Sequence, residues 1–394
     1  VILRESLRPP EDEGRKQQHN YFPDDTRHCK KFPNFVRPQR TDDKDNHLSC
    51  LKNKKMDKIR TVYFIISSIL LFFNGSTMMR SQNLWITNDS AANNLVWEEK
   101  LRKRIDFLTD TLCEGRATGT RGGNEAAFWI AGQFRDTGLL PFGGTYAKHI
   151  FAGHGLVGHN IVGMLPGSLD TPCDSYIIIG AHFDHLGILG GKMYPGADNN
   201  ASGTVAMLSL SEMFSAMRTA GRIYGKNIIF VAFDAKEMDM AGSGAFWRMI
   251  ENGELEDPVS GKPVTPDKIY AMANLEQIGS SLAPLTSGRK DYLIALGTNT
   301  LEKEDRQLLA QCNRFYGIGL ELSETYYGSE RFTELFYRIS DQKVFADNGV
   351  PAVFFTSGIT LNTFKTYDTT STLDLGVLRK RIILIFHWAE KLMK

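Results

Sequence analysis

Thiols are scarce in this chain: of five cysteines, only Cys113, Cys173 and Cys312 fall beyond residue 81. Three well-separated cysteines make neither a disulfide framework nor a thiolate metal site. An excess of either charge is also lacking, with 46 Lys and Arg against 45 Asp and Glu. The first 55 residues hold 13 of the basic and 9 of the acidic residues, which leaves 33 basic against 36 acidic in the remainder. That balance gives no reason to expect nucleic acid as a partner. Long apolar runs are missing as well. The stretch Val62 to Phe73 has 12 residues, where a bilayer span needs about 20, so no stable membrane anchor is expected. No internal repeat is visible.

What is present divides the chain in three. Residues 1–55 carry scattered Pro and His among charges with no sustained apolar period, and read as disordered. From Met56 a short basic segment, the apolar stretch and Asn74-Gly75-Ser76 form a secretory signal peptide over 56–81, which predicts a secreted or periplasmic protein. The chain begins with Val and a complete signal begins at Met56, so residues 1–55 are read as a misassigned start. Residues 82–394 are the folded domain, within a chain of ordinary globular composition, 42% hydrophobic and 23% charged.

Within that domain, helices predicted over Leu95–Leu112, Asn124–Thr137, Ala201–Met217, from Gly242, over Glu302–Phe315 and over Leu375–Met393 alternate with strands. The strands are predicted at Tyr176, Asn227–Phe233, Ile269–Leu275, Tyr292–Leu296 and Ala352–Phe355. The alternation predicts an α/β fold, a mostly parallel central sheet sandwiched by helices. Ligands of such folds gather at the carboxyl ends of the strands. The segment Glu251–Asp267, rich in Pro, Gly and acid, reads as a surface loop.

One strand end carries the densest chemistry. Tyr176-Ile177-Ile178-Ile179 runs into Gly180-Ala181-His182-Phe183-Asp184-His185-Leu186-Gly187, and Tyr194-Pro195-Gly196-Ala197-Asp198-Asn199-Asn200-Ala201-Ser202-Gly203 follows. Two residues apart at a strand end, His182 and Asp184 project to one side, so the imidazole is placed to ligate a metal while the carboxylate orients its ring. A lone histidine beside an apolar run is more often a satisfied core residue; the second segment shifts the balance.

The two segments resemble the co-catalytic zinc exopeptidases, a superfamily that includes bacterial leucyl aminopeptidases, glutamate carboxypeptidase II, the transferrin receptor and glutaminyl cyclase. The resemblance runs from about Asp106 to the C-terminus. It extends through the Gly- and Arg-rich loop Leu112–Gly122, His159–Gly167, Val231–Glu237, Ala273–Gly279 and Ser340–Phe345. It implies one zinc on His182, Asp198 and Glu276, and a second sharing Asp198 and adding Glu237. The last ligand of that second ion, a late His, is absent: Phe364 stands at its place, and no His occurs between His185 and His387. The general base of the family, first of a Glu-Glu pair, is here Lys236, and Gln342 follows Ser340-Asp341 where many relatives have His. One Zn²⁺ is therefore expected in preference to two.

Asp198, Glu237 and Glu276 would crowd three carboxylates that two ions normally neutralise. A Lys236 ammonium paired with Glu237 or Asp198 would supply part of the missing charge; otherwise Lys236 turns outward. Asp239, His185 and Asp184 are other candidate proton acceptors, Asp368 a candidate replacement ligand, and Tyr367 a candidate substrate contact. The aromatic group Tyr326, Tyr327, Phe332, Phe336 and Tyr337 reads as core or as a pocket wall. The first functional reading is a metal-dependent aminopeptidase acting on peptides through a metal-activated water. The alternatives are a catalytically impaired relative that binds a peptide or amino-acid derivative, and a single-zinc acyl transferase like glutaminyl cyclase.

Overall fold

The computed structural model describes residues 90–152, 155–167, 173–281 and 291–394. The expected disordered segment and signal peptide lie outside the described residues. Nine strands form the main sheet. They are β1 (Leu140–Pro141), β2 (Ala147–Phe151), β3 (Val157–Leu165), β4 (Tyr176–His182), β7 (Asn227–Phe233), β8 (Ile269–Leu275), β9 (Tyr292–Leu296), β10 (Glu321–Ser323) and β11 (Ala352–Thr356). Their order is β1-β3-β7-β4-β8-β11-β9-β10, with β2 also paired to β3. A separate hairpin joins β5 (Gly187–Leu189) to β6 (Lys192–Tyr194).

Parallel pairing is confined to β7-β4-β8-β11 and to β9-β10. The margins β1-β3, β2-β3, β3-β7 and β11-β9 are antiparallel, so the sheet is mixed, with a parallel centre. β4 sits in the middle and is buried along its whole length, which is why it reads as an unbroken apolar run. Its Ile177, Ile179 and Ala181 face a core with Leu101, Phe134, Phe214, Leu378 and Trp388. Its Ile178 faces the opposite core with Phe233, Phe246 and Phe345.

Helices cover both faces: α1 (Glu98–Thr109), α2 (Arg121–Asp136), α3 (Gly203–Thr219), α4 (Ala241–Glu251), α5 (Leu308–Phe315), α6 (Glu330–Tyr337), α7 (Gln342–Asp347) and α8 (Leu375–Leu392). α2 starts three residues before the sequence expectation, because Thr120 Oγ1 accepts the Gly123 N–H at 3.1 Å and caps it there. α5 starts later than expected. Arg306 Nε donates to the Leu301 carbonyl at 2.9 Å and the Tyr270 hydroxyl donates to Asp305, which hold residues 302–307 in turns. The expected surface loop after α4 is largely exposed and is anchored at three points: Asp257 is buried and accepts from the Tyr176 hydroxyl at 2.6 Å, and Leu255 and Val264 on either side of it are buried. Among the described residues no helix is long and apolar enough to cross a membrane.

On α8, His387 stacks on Tyr316 with ring centroids 3.5 Å apart, fully buried and with no hydrogen-bond partner on either nitrogen. Burial, then Lys391 and Arg222, push its pKa down from 6.5 to about 3. A depressed histidine pKa means that the unfolded chain takes up a proton which the folded chain refuses. Stability is therefore complete above about pH 6.5 and falls by about 1.4 kcal/mol per unit as pH drops through the window towards 3. His387→Phe keeps the stack and removes the titration. Denaturation midpoints measured from pH 7 to 4 are expected to fall less steeply for this variant than for the wild type; parallel curves would refute the assignment.

Candidate cation site at the strand ends

β4, β7 and β8 end side by side, with His182 opposite Phe233 and Gly180 opposite Asn274. The residues that follow each end converge there. His182 is fully buried; its Nδ1 lies 3.1 Å from the Asp184 carbonyl oxygen and 3.5 Å from Asp184 Oδ1. Its Nε2 lies 3.6 Å from Glu276 Oε1. Burial disfavours the imidazolium, but Asp184 and Glu276 outweigh it and raise the His182 pKa to about 10. The Asp184 carboxylate also fixes the turn after β7, since Oδ1 and Oδ2 accept the backbone N–H groups of Lys236 and Glu237, each at 3.0 Å.

Lys236 turns inward from that turn. Its Nζ lies 3.0 Å from Glu276 Oε1 and 3.5 Å from Glu237 Oε1, with its side chain 11% exposed. Burial opposes a charge here, and the carboxylates of Glu276 and Glu237 override it, so Lys236 titrates above the usual lysine range. Glu276 is the mirror case. Burial would raise its pKa, yet Lys236, His182 and Ser340, whose hydroxyl donates to Oε2, hold it well below the usual carboxylate range. Glu237 is pushed up by burial despite Lys236. Asp341, buried beside Ser243, is raised by burial to about 6 and faces His182, Glu276 and Asp184 electrostatically. The sequence pattern contained it in Ser340-Asp341-Gln342 but drew no attention to its carboxylate.

Asp198 is held through one of its oxygens, the other being buried without a hydrogen-bond partner. Its Oδ1 accepts from the Gly279 N–H at 2.8 Å and from Ser202 Oγ at 3.1 Å. Burial, then the neighbouring Asp368, raise its pKa to about 7. Asp368 is occupied too: its two oxygens accept the backbone N–H groups of Asp198 and Asn199 at 2.9 and 3.1 Å. It clamps the turn over Ala197–Ser202 and is not free to serve as a ligand. Asn199 keeps both amide atoms buried without a partner. Gln342 is likewise structural, accepting from Asn274 Nδ2 at 2.7 Å and donating to the Tyr337 carbonyl at 2.6 Å.

At the place of the absent histidine, Phe364 lies parallel to the His185 ring, centroids 6.1 Å apart. His185 is buried with both ring nitrogens unpartnered, and burial together with Arg116, His182 and Lys236 keeps it neutral. Asp239 is exposed on the turn before α4. Ile359, Leu361, Phe364 and Tyr367 are exposed on the segment between β11 and α8. Tyr326 is core: it stacks on Phe336 at 3.8 Å, and its hydroxyl accepts the Ile359 N–H at 2.8 Å. Phe332 is exposed.

Two further residues shape the site from the loop between α1 and α2. Arg116 is fully buried and donates to four carbonyl groups: Phe183 at 2.7 Å, Leu108 at 2.5 Å, Pro195 at 2.7 Å and Gly196 at 2.9 Å. Gly115, at φ 71°, lets that loop approach the β5–β6 hairpin, since a Cβ there would sit 2.6 Å from the Tyr194 oxygen.

The fold and this strand-end group of histidine and carboxylates define a protein of the co-catalytic zinc exopeptidase class. The sequence profile of Peptidase family M28 matches residues 160–389, and the chain belongs to that family. Among solved structures, LapB from Legionella pneumophila aligns with a TM-score of 0.59 and 20% identity over 77% of this chain and 74% of that one. BSAP, a zinc aminopeptidase from Bacillus subtilis, aligns at 0.56 and 13% identity over 75% of this chain and 95% of its own. Porphyromonas gingivalis glutaminyl cyclase aligns at 0.56 and 14% over 76% and 99%. No curated protein matches in sequence. At such identities the structures establish the fold, while family membership supports a function of the metal-dependent peptidase kind, with zinc as the ion.

The residues present do not fit that ion. His182 Nε2 and Glu276 Oε1 are two suitable donors, but the same Oε1 already receives the Lys236 ammonium; Asp198 Oδ1 is engaged with Gly279 and Ser202, while its Oδ2 is buried without a hydrogen-bond partner. Among the described residues no three His, Cys, Asp or Glu side chains are grouped to hold a metal. Zinc needs at least three protein ligands.

Proposed function

We propose that this chain recognises peptides at the ends of β4, β7 and β8 without hydrolysing them. One observation carries the reading: the place of the water-activating carboxylate is taken by Lys236, whose ammonium is bound by Glu276 and Glu237. A paired ammonium has no lone pair with which to accept a proton. Family membership supports peptides as the ligand class. The exposed apolar side chains Leu361, Phe364 and Tyr367, on the loop after β11, supply a surface for ligand side chains. The apolar stretch Val62–Phe73 supports an exported protein meeting its peptides outside the cytoplasm.

A one-zinc aminopeptidase is the second reading, favoured by Asp198 Oδ2, which is buried without a hydrogen-bond partner as an unfilled ligand would be. The glutaminyl cyclase reading has only the shared fold behind it. Calorimetric titration with short peptides, beside an aminoacyl-nitroanilide panel with and without zinc, separates these readings. Saturable binding with no turnover above a protein-free blank is expected. Chelator-sensitive cleavage would overturn the proposal in favour of the peptidase, and neither binding nor cleavage would refute both.

A further inference from the structure

We propose that β2 is the interface of a two-fold dimer, in which it pairs antiparallel with β2 of a second copy, His149 against His149 and Phe151 over Ala147. The inference is independent of what the ends of β4, β7 and β8 bind. It begins with the margins of the sheet. β1 has two residues, one of them Pro141, and β10 has three, beginning with Glu321 and followed by Glu324. Short length, proline and charge are the means by which sheet edges avoid other strands. β2 uses none of them: it has five residues, no proline and an unbroken register against β3. Its one lysine, Lys148, is turned back onto the Phe142 carbonyl at 2.6 Å.

The edge is open in the way that a second strand requires. The Tyr146 carbonyl accepts the Val162 N–H at 2.8 Å and the Ala152 N–H donates to the Leu156 carbonyl at 2.9 Å, so the even-numbered residues between them bond to β3. The N–H and C=O groups of Ala147, His149 and Phe151 point the other way. Among the described residues, the bond these outward groups make is a long one of 3.3 Å, from the Ala147 N–H to Thr145 Oγ1.

What selects a second copy as the occupant is self-complementarity. Outward groups centred on His149 permit a two-fold register in which His149 exchanges both backbone bonds with its counterpart, and Ala147 exchanges them with Phe151 of the other copy. The three side chains share the sheet face that looks towards α2, since Ala147 and the cross-strand partner of His149, His159, line one cavity with Phe128. Phe151 projects from that face, 82% exposed. Ala147 is small and borders the cavity, whose volume is about 840 Å³. The register therefore lays the exposed ring of each copy over the small residue of the other, beside a space able to take it. Phe128 on α2, itself 77% exposed, is the apolar wall that this ring would meet. His149 already packs edge-on against His159 with ring centroids 4.8 Å apart, and the two-fold extends that pair into a row of four imidazoles. One short strand and its apolar flank make a small interface, so a dissociation constant of about 10 µM is expected.

Sedimentation velocity and light scattering on the full chain, at concentrations on both sides of that value, test the inference. The wild type is expected to pass from monomer to dimer as concentration rises. His149→Pro removes an N–H that β3 does not use and places a ring in the edge, a substitution that an edge strand tolerates. It is expected to weaken association about thirtyfold or more, as is Phe151→Asp. Phe151→Ala and Ala147→Phe are each expected to weaken association as well. Combined in one chain they are expected to restore it to within about threefold of the wild type, because position 147 faces position 151 of the other copy. Circular dichroism melts show that each variant is folded, and Phe151→Asp, at an exposed position, carries the test should the proline variant fail to fold. A chain that stays monomeric at about 500 µM, about fifty times the expected constant, overturns the inference. So does a dimer indifferent to both His149→Pro and Phe151→Asp, which would place the interface elsewhere. A monomer whose β2 amides respond to an added extended peptide also overturns it, and would assign the edge to a foreign strand.

Discussion

Lys236→Met, in the absence of added metal, is expected to lose about 3–5 kcal/mol of stability, the range for breaking a buried ion pair by removing one partner. Methionine fills most of the volume, so the loss reports charge and not a cavity. Glu276 is left facing Glu237 with only His182 as a counter-charge. Pairing the substitution with Glu276→Gln is expected to recover more than half of the loss, because the uncompensated charge is then gone. The pH dependence carries a sign. Glu276 is depressed in the folded state, so its contribution is present above the ordinary carboxylate value of 4.5 and disappears as pH falls below it. The gap between wild type and Lys236→Met is therefore expected to narrow below about pH 4.5. Urea titrations at pH 7 and pH 4 check both points, and a single-variant loss under about 1 kcal/mol at pH 7 would show the pair to be solvent-screened.

Much of the domain was legible because its central strands are buried on both faces and therefore spelled as plain apolar runs. β7, β8 and β9 coincide with the predicted strands to the residue. The margins were not legible. β1 has two residues, β10 has three, and the hairpin β5–β6 is signalled only by the Gly190-Gly191 turn. Short edge strands carry too few residues for a period-two pattern to show. The antiparallel joins were missed for the same reason, since strand direction follows from connections and not from composition.

At the site, the family resemblance singled out His182, Lys236, Glu237 and Glu276, and the fold brings these four together because each lies at or just past the end of a neighbouring parallel strand. Asp198 follows no strand of the main sheet. It sits in a turn whose backbone is held by Asp368, 170 positions away in sequence, and that long-range clamp decides where its carboxylate points. Local spacing contains no trace of such a partner. Whether Lys236 turned in or out was open from the sequence as well; its ion pairs with Glu276 and Glu237 hold it inward, on a turn that Asp184 grips at both Lys236 and Glu237.

Arg116→Met is expected to cost the fold about 3–5 kcal/mol, as large an effect as Lys236→Met but from a different origin. Burial lowers the Arg116 pKa to about 10, opposed by Cys113, Asp368 and Asp184, so the guanidinium is charged at neutral pH. It faces no carboxylate oxygen at hydrogen-bond distance; its partners are the carbonyls of Leu108, Phe183, Pro195 and Gly196. These come from the end of α1, from the residue after His182, and from the two residues that open the turn containing Asp198. One side chain thus ties three segments of the site together, and methionine would strip the guanidinium donor from four carbonyls, of which Gly196 keeps the Ala201 N–H. Arg116→Lys tests the geometry. Lysine keeps the charge, but its single nitrogen cannot reproduce the planar fork, so about half of the loss is expected to remain. Because the tied segments carry His182 and Asp198, amide exchange at residues 183–187 and 196–202 is expected to accelerate in both variants well before global unfolding. Unchanged protection there, in a destabilised protein, would show that the carbonyls find other donors and that Arg116 does not position the site.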